Sequence, residues 1–162
     1  MFKKIRHKTI SRIIEDNLDY LVRFAYYRLG NHFEAEDLVY DAVLKFLERD
    51  TGNIRPESIR LYLFRIVHNL CQDYARSNKR EFMPIEDYDV EGADDEVLDL
   101  EDADRINACL DSLPSREADI IRMNVIDGLS FVEISGILSI PQSTAKSRYK
   151  SGMEKLRKLF IK

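Results

Sequence analysis

The stretch from Glu86 to Asp104 holds eleven carboxylates and neither Lys nor Arg. It follows Pro84, contains Gly92 and has no sustained helical pattern, and so dense a charge of one sign does not pack into a core. A solvated loop within one domain is the alternative, but unstructured connections of this length are uncommon inside compact domains. The stretch therefore predicts two small domains, residues 1–80 and 105–162, joined by an acidic linker over 81–104.

Apolar residues in both halves recur with helical spacing, and no segment shows the alternation typical of a β-strand. Gly30 and Asn31 separate the first two helices, and Pro56 opens the third. The sequence predicts an all-α fold of two small helical domains, the C-terminal one a helix-turn-helix. The helices are expected at about 9–29, 33–49, 57–78, 103–112, 115–127, 130–138 and 142–160.

The composition of the chain argues against membrane insertion and against metal or cofactor binding. The chain has 162 residues, of which 44% are hydrophobic and 33% charged, the balance of a soluble globular protein. No signal peptide is visible, and no apolar run approaches the ~20 residues of a membrane span. Cys71 and Cys109 are isolated and the three histidines lack ligand spacing, so neither a metal nor a cofactor is expected. These features predict a cytoplasmic protein without direct membrane insertion.

The net charge of −4 conceals a basic remainder. With the eleven carboxylates of the acidic stretch set aside, 25 basic residues face 18 acidic ones. The negative total is therefore compatible with a nucleic-acid partner, because binding depends on where the charges lie.

The C-terminal helices have the pattern of a helix-turn-helix. Ser130 and Glu133 form an S-x-x-E capping box, "SIP" makes the turn, and Ala145 and Tyr149 point inward. The side chains left to face a major groove are Gln142, Ser143, Lys146, Ser147 and Lys150, with Arg148, Lys155, Arg157 and Lys158 available to phosphates. The alternative is a solvated helix of a small bundle.

The second predicted helix separates an apolar face from an acidic one. At about 100° per residue, the apolar face collects Ala35, Leu38, Val39, Ala42 and Phe46. Glu34, Asp37 and Asp41 gather elsewhere, as a solvated face, an acidic docking surface, or an ExxD-type magnesium site. A magnesium site needs a second acidic motif on a facing helix, and the first domain offers none.

The far side of the third predicted helix combines cations, amides and a ring. Its members are Tyr62, Arg65, His68, Asn69, Gln72, Arg76, Lys79 and Arg80. Cations suit phosphates, a ring suits stacking and amides suit base edges, so this side is suited to single-stranded nucleic acid. A merely solvated basic face is the alternative.

Three segments in order carry a family resemblance: "EAEDLVYDAVLKFL", "LYLFRIVHNLCQDYARSNKR" and "LDSLPSREADIIRMNVIDGLSFVEISGILSIPQSTAKSRYKSGMEKLRKLF". Together they resemble the extracytoplasmic-function (ECF) subfamily of bacterial RNA polymerase sigma factors. The resemblance covers nearly the whole chain, and the linker lies in the same place. It implies a transcription initiation factor without catalysis, which binds core RNA polymerase, directs it to promoters and helps to melt the minus-ten element.

The resemblance also implies roles for residues of the first domain. It makes the segment from Glu34 to Asp41 the docking site for the clamp helices of the polymerase's largest subunit. The residues assigned to that contact are Glu34, Asp37, Leu38 and Asp41. It assigns Asn69, with the 50–56 loop, to a pocket for a flipped base of the melted non-template strand. The residues assigned to the minus-ten strand are Tyr62, Arg65, Asn69, Arg76, Lys79 and Arg80, the last three at phosphates.

For the rest of the chain, the resemblance implies that Gln142 to Lys150 reads the minus-thirty-five element as duplex. The acidic linker would thread through the basic interior of the polymerase, and an anti-sigma protein is expected as a further partner. The chain departs from the family pattern at Ser139, which replaces a turn glycine, and at Ser151 and Gly152, which replace larger, often basic residues.

Two other functions are open at this point. A polymerase-independent helix-turn-helix regulator would need a dimerisation surface and would bind a palindromic duplex by itself. A magnesium-dependent nucleotide hydrolase would use Glu34, Asp37 and Asp41.

Overall fold

The computed structural model describes residues 2–49, 51–77 and 100–160. The chain divides into two compact units, Met1–Val90 and Glu91–Lys162, and every regular element of the described residues is a helix. The predicted fold class, all-α with two helical domains, is confirmed. Residues 78–99, which include Lys79, Arg80 and most of the predicted linker, lie outside the described residues.

The first unit contains three helices, α1 (Phe2–Leu29), α2 (His32–Glu48) and α3 (Pro56–Ser77), with a short 3-10 turn at Thr51–Asn53. Gly30 ends α1 in the left-handed conformation at φ 75°, where glycine carries no Cβ penalty. Asn31 caps α2, since its side-chain oxygen accepts a hydrogen bond from the Glu34 amide at 3.2 Å.

The core of the first unit is built on large aromatic and aliphatic side chains. Leu21, Phe24, Phe46, Leu63 and Phe64 are almost wholly buried, and the rings of Phe24 and Phe64 meet edge to face with centroids 5.4 Å apart. Burying one side chain of this size contributes about 1.5–3 kcal/mol before entropy costs. The three helices therefore form a packed core, and the outer faces of α2 and α3 do not contribute to it.

Residues later in α1 contact residues later in the chain segment that leads into and forms α3. Arg6 meets the chain at Ile54, and Arg60 Nε donates to Asn17 Oδ1 at 3.1 Å, before Phe24 reaches Phe64. The two helices consequently run in the same direction, and α2 returns between them. The connection from α2 to α3 thus lies at the end of the unit where α1 begins.

His68 is not where the sequence analysis expected it. It was predicted on the basic side of α3, but only 4% of the residue is exposed, and its ring lies 6.4 Å from that of Phe24. That prediction is wrong because α3 packs against both α1 and α2, which widens its buried arc to include Phe64, His68 and Cys71. Gln72 Nε2 lies 3.4 Å from His68 Nε2.

The second unit contains four helices. They are α4 (Leu100–Leu110), α5 (Ser115–Ile121), α6 (Phe131–Leu138) and α7 (Gln142–Phe160). A π-helical turn over Arg122–Ile126 continues α5, where a single α-helix to residue 127 was expected. Helix α4 begins at Leu100, so the last residues of the predicted linker are helical, and its first turn carries Glu101 and Asp102, as suits a helix N-terminus.

Close approach and polar ties hold the second unit together. Gly152 of α7 is buried, and a Cβ there would stand 2.6 Å from Ile121 Cδ1 and 3.2 Å from Glu117 Cβ. The buried Arg122 donates from Nε to Asn107 Oδ1 at 2.8 Å and from Nη1 to Asp119 Oδ1 at 3.0 Å. The first contact brings α7 against α5, and the second joins α4 to the π-helical turn.

Candidate nucleic-acid and partner-binding surfaces

Helices α6 and α7 form the predicted helix-turn-helix. The capping box is present, with the Glu133 amide donating to Ser130 Oγ at 3.1 Å and the Ser130 amide donating to Glu133 Oε1 at 3.2 Å. Ser139 closes α6 in the left-handed conformation at φ 56°. Ala145 is wholly buried, and the Tyr149 ring meets that of Phe131 edge to face at 5.3 Å. These contacts fix which side of α7 faces outward.

The outward side of α7 carries the short polar and cationic residues that the sequence analysis selected. Exposed there are Gln142, Ser143, Lys146, Ser147 and Lys150, whereas Arg148 is half-buried and lies on another side of the helix. At 1.5 Å per residue they extend over about 12 Å of helix, which matches the width of a major groove. The structure therefore brings all six predicted duplex-reading residues onto one helix.

The C-terminal part of α7 is used differently from what the sequence suggested. Glu117 Oε1 of α5 accepts hydrogen bonds from Lys155 Nζ at 2.9 Å and from Ser151 Oγ at 2.8 Å. The bonds from Lys155 and Ser151 hold the pKa of Glu117 below its usual range. Lys155 is thus engaged within the unit, whereas Arg157 and Lys158 are exposed. Ser151 and Gly152 contact α5, so their departure from the family pattern concerns packing.

Helix α3 presents a polar line to solvent. Tyr62 and Arg65 are half-buried, and Asn69, Gln72 and Arg76 are exposed, at alternating intervals of three and four residues. This spacing keeps them on one side of the helix over about 21 Å. The structure therefore assembles the predicted strand-binding side without His68, while Lys79 and Arg80 lie outside the described residues.

Asn69 lies far from the connection that precedes α3. Asn69 follows Pro56 by thirteen residues of continuous helix, an axial distance of about 20 Å. The connection lies at the start of α3, with Gly52, Asn53 and Arg55 exposed. Tyr62 and Arg65 occupy the helix between them, so these elements line a path along α3 and not a single small pocket.

Helix α2 has the buried face that its period predicted. Its buried residues are Ala35, Leu38, Val39, Ala42 and Phe46. Of the four residues assigned to polymerase, Leu38 is only 8% exposed and belongs to this face. Glu34 is half-buried, and its Oε2 accepts a hydrogen bond from the Tyr74 hydroxyl of α3. Asp37 and Asp41 are exposed, so these two carboxylates are the accessible part of the predicted stripe.

The opposite side of α2 carries an apolar surface that the sequence analysis missed. Phe33 is 72% exposed, Tyr40 59%, Leu44 58% and Leu47 47%. At about 100° per residue these four fall on one side of the helix with Asp37 and Asp41 among them. We call the set Phe33, Asp37, Tyr40, Asp41, Leu44 and Leu47 the α2 strip. A signal existed, because α2 has more apolar residues than one buried face can accommodate.

Neither a metal centre nor a membrane span is found in the parts of the chain that the structure describes. Within residues 2–49, 51–77 and 100–160, no three His, Cys, Asp or Glu side chains are grouped so that they could hold a metal ion. Over the same ranges, no helix combines the length and apolar character needed to cross a bilayer.

Two protein-family descriptions match the chain, one on each unit. "Sigma-70 region 2" matches residues 13–81, and "Sigma-70, region 4" matches residues 109–158. The first match covers most of α1 and all of α2 and α3, and the second covers the helix-turn-helix with α5 and part of α4.

Individual proteins give the same result. The ECF RNA polymerase sigma factor SigW of Bacillus subtilis is 30% identical over 171 residues, which is 96% of this chain and 91% of that protein. Among solved structures, CnrH in complex with the cytosolic domain of CnrY matches with a TM-score of 0.66 at 19% identity, over 93% of this chain and 86% of that one. The sigma factor RpoE in complex with the anti-sigma factor NepR, from Bartonella quintana, matches with a TM-score of 0.59 at 21% identity, over 98% of this chain and 95% of that one.

Proposed function

The chain belongs to the extracytoplasmic-function sigma factors, and on that premise we propose which of its surfaces bind polymerase, melted strand and duplex. It is a transcription initiation factor and not an enzyme. As such it binds core RNA polymerase, directs it to promoters and helps to open the minus-ten element. Each of these binding steps is assigned below to a set of residues.

The main support for the proposal is the exposure of the apolar side chains in the α2 strip. A phenylalanine 72% exposed, with Tyr40, Leu44 and Leu47 beside it, is a row of apolar side chains that a partner can remove from water. Asp37 and Asp41 within the row favour a partner surface that carries cations and set its register. We assign the strip to the clamp helices of the polymerase's largest subunit, with Glu34 and Leu38 supporting it from inside the unit.

The polar line of α3 is assigned to the melted non-template strand of the minus-ten element. Tyr62 provides a ring, and stacking of one base on an aromatic side chain is worth about 1–3 kcal/mol. Asn69 offers a donor and an acceptor to the edge of an extruded base. Arg65 and Arg76 supply cations for the backbone, and we extend the phosphate path to Lys79 and Arg80.

The outward side of α7 is assigned to the minus-thirty-five element in its duplex form. Gln142, Ser143, Lys146, Ser147 and Lys150 are exposed on a helix whose inner side is fixed by Ala145 and Tyr149. Side chains on such a helix specify sequence through base edges, whereas Arg148, Arg157 and Lys158 contact phosphates.

The domains proposed from the sequence are residues 1–80 and 105–162, with the acidic segment 81–104 between them, and helix α4 of the second unit begins within that segment, at Leu100. We propose that this segment occupies the basic interior of the polymerase and that the protein acts in the cytoplasm. An anti-sigma protein is a further proposed partner, which the structural similarity to the RpoE–NepR complex supports.

The test is reconstitution with core RNA polymerase. The purified protein should co-elute with the core enzyme in gel filtration and should confer promoter-dependent transcription on it. Promoter duplex alone should be bound weakly and with a steep dependence on salt, since phosphate contacts dominate. Failure to co-elute, together with nanomolar binding of a palindromic duplex at physiological salt, would contradict the proposal in favour of a polymerase-independent regulator.

A further inference from the structure

The beginning of α1 reaches the connection between α2 and α3. Arg6 Nη2 donates a hydrogen bond to the backbone carbonyl of Ile54 at 2.7 Å, across 48 residues of sequence. Helix α1 begins at Phe2, whereas the match to sigma-70 region 2 begins at residue 13. Arg6 therefore lies on a part of the helix that precedes the match to sigma-70 region 2.

The connection that Arg6 contacts is built from residues with little inherent order. Thr51–Asn53 form a single 3-10 turn, and Gly52 and Asn53 are exposed. Glycine loses more conformational freedom on ordering than any other residue, so such a turn requires outside contacts to hold one conformation. Ile54 is half-buried, and its carbonyl accepts a hydrogen bond from α1.

The chemistry of the contact suits a fixed attachment. A guanidinium is always charged, and a hydrogen bond from a charged donor is about twice as strong as one between neutral groups. Arg6 is itself half-buried, so this hydrogen bond directs the guanidinium toward the protein and not toward solvent. On the other side of the connection, Ser58 N donates to Arg55 O at 2.9 Å and starts α3.

We propose that Arg6 is a positioning residue for minus-ten recognition. By holding the Ile54 carbonyl, it fixes the Thr51–Arg55 turn in the conformation that meets the melted strand at the start of the α3 path. This inference rests on the proposed function, because it takes the turn and α3 as the strand-binding region. Arg6 does not itself contact DNA, so its loss should change base selectivity in one promoter element only.

The experiment uses the full-length protein bound to core RNA polymerase. A duplex library randomised in both promoter elements is transcribed by the parent holoenzyme, and the most enriched template becomes the probe. Selectivity is the transcription from this probe divided by that from probes with single substitutions in either element. The variants are Arg6→Ala and Arg6→Lys, with Arg12→Ala and Arg12→Lys as controls that make the same changes at an exposed site of the same helix.

We expect Arg6→Ala to lower minus-ten selectivity by about threefold to tenfold, the effect of one lost hydrogen bond, with minus-thirty-five selectivity unchanged. Arg6→Lys should fall between parent and Arg6→Ala, because an ammonium retains donors without the guanidinium geometry. The Arg12 variants should match the parent. If circular dichroism shows that Arg6→Ala is unfolded, the minus-ten selectivity of Arg6→Lys is compared with that of Arg12→Lys instead, and a lower value in Arg6→Lys supports the inference.

Unchanged minus-ten selectivity in the Arg6 variants would overturn the inference, as would an equal loss in both promoter elements. A parent holoenzyme without any minus-ten selectivity would overturn the proposed function itself. The two failures are distinguishable, because the first leaves the parent's preference for its own minus-ten sequence intact.

Discussion

The two units bury their helices in different ways, and this difference decides which positions tolerate change. In the first unit, wide rings such as Phe24, Phe46 and Phe64 fill the space between long helices, so the outer sides of α2 and α3 are free for partners. In the second unit, α7 approaches α5 so closely that a Cβ at position 152 would stand 2.6 Å from Ile121 Cδ1 and 3.2 Å from Glu117 Cβ. The first unit should therefore lose binding without losing its fold, whereas the second should lose stability when a single methyl group is added at Gly152.

The largest effect is expected at the α2 strip. Asp37→Lys should weaken association with core polymerase by about 100-fold, because reversing a charge at a complementary interface costs several kcal/mol. The melting temperature should change little, since Asp37 is exposed and lies outside the buried face. Affinity is measured by titration of labelled protein with core enzyme, and stability by circular dichroism. Glu15→Lys, the same change at an exposed position of α1, is the control.

Equal affinity of Asp37→Lys and Glu15→Lys for the core enzyme would contradict the assignment of the α2 strip. A drop in melting temperature in Asp37→Lys would show that the outer face of α2 supports the fold, and the contrast between the two units would be lost.

Variants of the two proposed DNA-binding surfaces, on α3 and α7, should be defective at different steps of initiation. The double variant Lys146→Ala/Ser147→Ala removes donors from base edges, where one good contact is worth about 1–3 kcal/mol, so closed-complex formation should fall. Asn69→Ala should spare recruitment and impair strand opening, because Asn69 is proposed to meet a base only after it leaves the stack. Permanganate reactivity of the holoenzyme is compared on a duplex promoter and on one with a pre-melted minus-ten bubble.

The bubble removes the cost of unpairing but not the need to hold the extruded base. It should rescue Asn69→Ala partly, and it should not restore the promoter selectivity of the α7 double variant. Identical responses of the two variants to the bubble would remove the functional distinction between α3 and α7.

A smaller effect is expected from Gly152→Ala. The added Cβ would meet Ile121 Cδ1 at 2.6 Å, and overpacking of this kind typically costs about 1–3 kcal/mol, against a helix-propensity gain of up to about 1 kcal/mol. Hydrogen exchange should accelerate in α5 and α7 and stay unchanged in α1 to α3. Lys150→Ala, an exposed change on the same helix, should leave exchange in both units as it is. Slower exchange in Gly152→Ala would show that α5 moves aside without cost.

The smallest effect should come from Ser139→Gly. Ser139 closes α6 at φ 56°, a conformation that costs a residue with a Cβ about 1–2 kcal/mol relative to one without. Part of this gain is offset because glycine loses more entropy on folding, so the second unit should gain at most about 1 kcal/mol. The measurement is urea denaturation followed by hydrogen exchange in the helices of the second unit. Ser147→Gly, within α7, should destabilise that unit instead.

Much of the fold could be predicted because it depends on neighbours in sequence. The capping box of Ser130 and Glu133, and all five buried residues of α2, followed from spacing within one turn or one period of a helix. The outward residues of α7 followed in the same way, once Ala145 and Tyr149 were placed inward. Local spacing thus fixes which side of each helix is buried wherever one face is clearly apolar.

The remaining features depend on contacts between distant residues. His68 is buried because α3 packs against two helices, which widens its buried side beyond what one period indicates. Phe33 and Tyr40 are exposed although their rings are apolar, and spacing alone does not distinguish a buried apolar face from an exposed one. Arg6 and Ile54 are 48 residues apart, and no pattern within α1 indicates their hydrogen bond.

The hydrogen bond from Tyr74 to Glu34 has a mechanical consequence. It joins the start of α2, which carries the α2 strip, to the far end of α3, which carries the polar line. We propose that α3 holds bases of the melted strand and that α2 docks on polymerase, and this bond would then transmit a force on α3 directly to α2. On these proposed assignments, the strand-binding side of α3 and the polymerase-binding side of α2 belong to one rigid body, so neither can shift without the other.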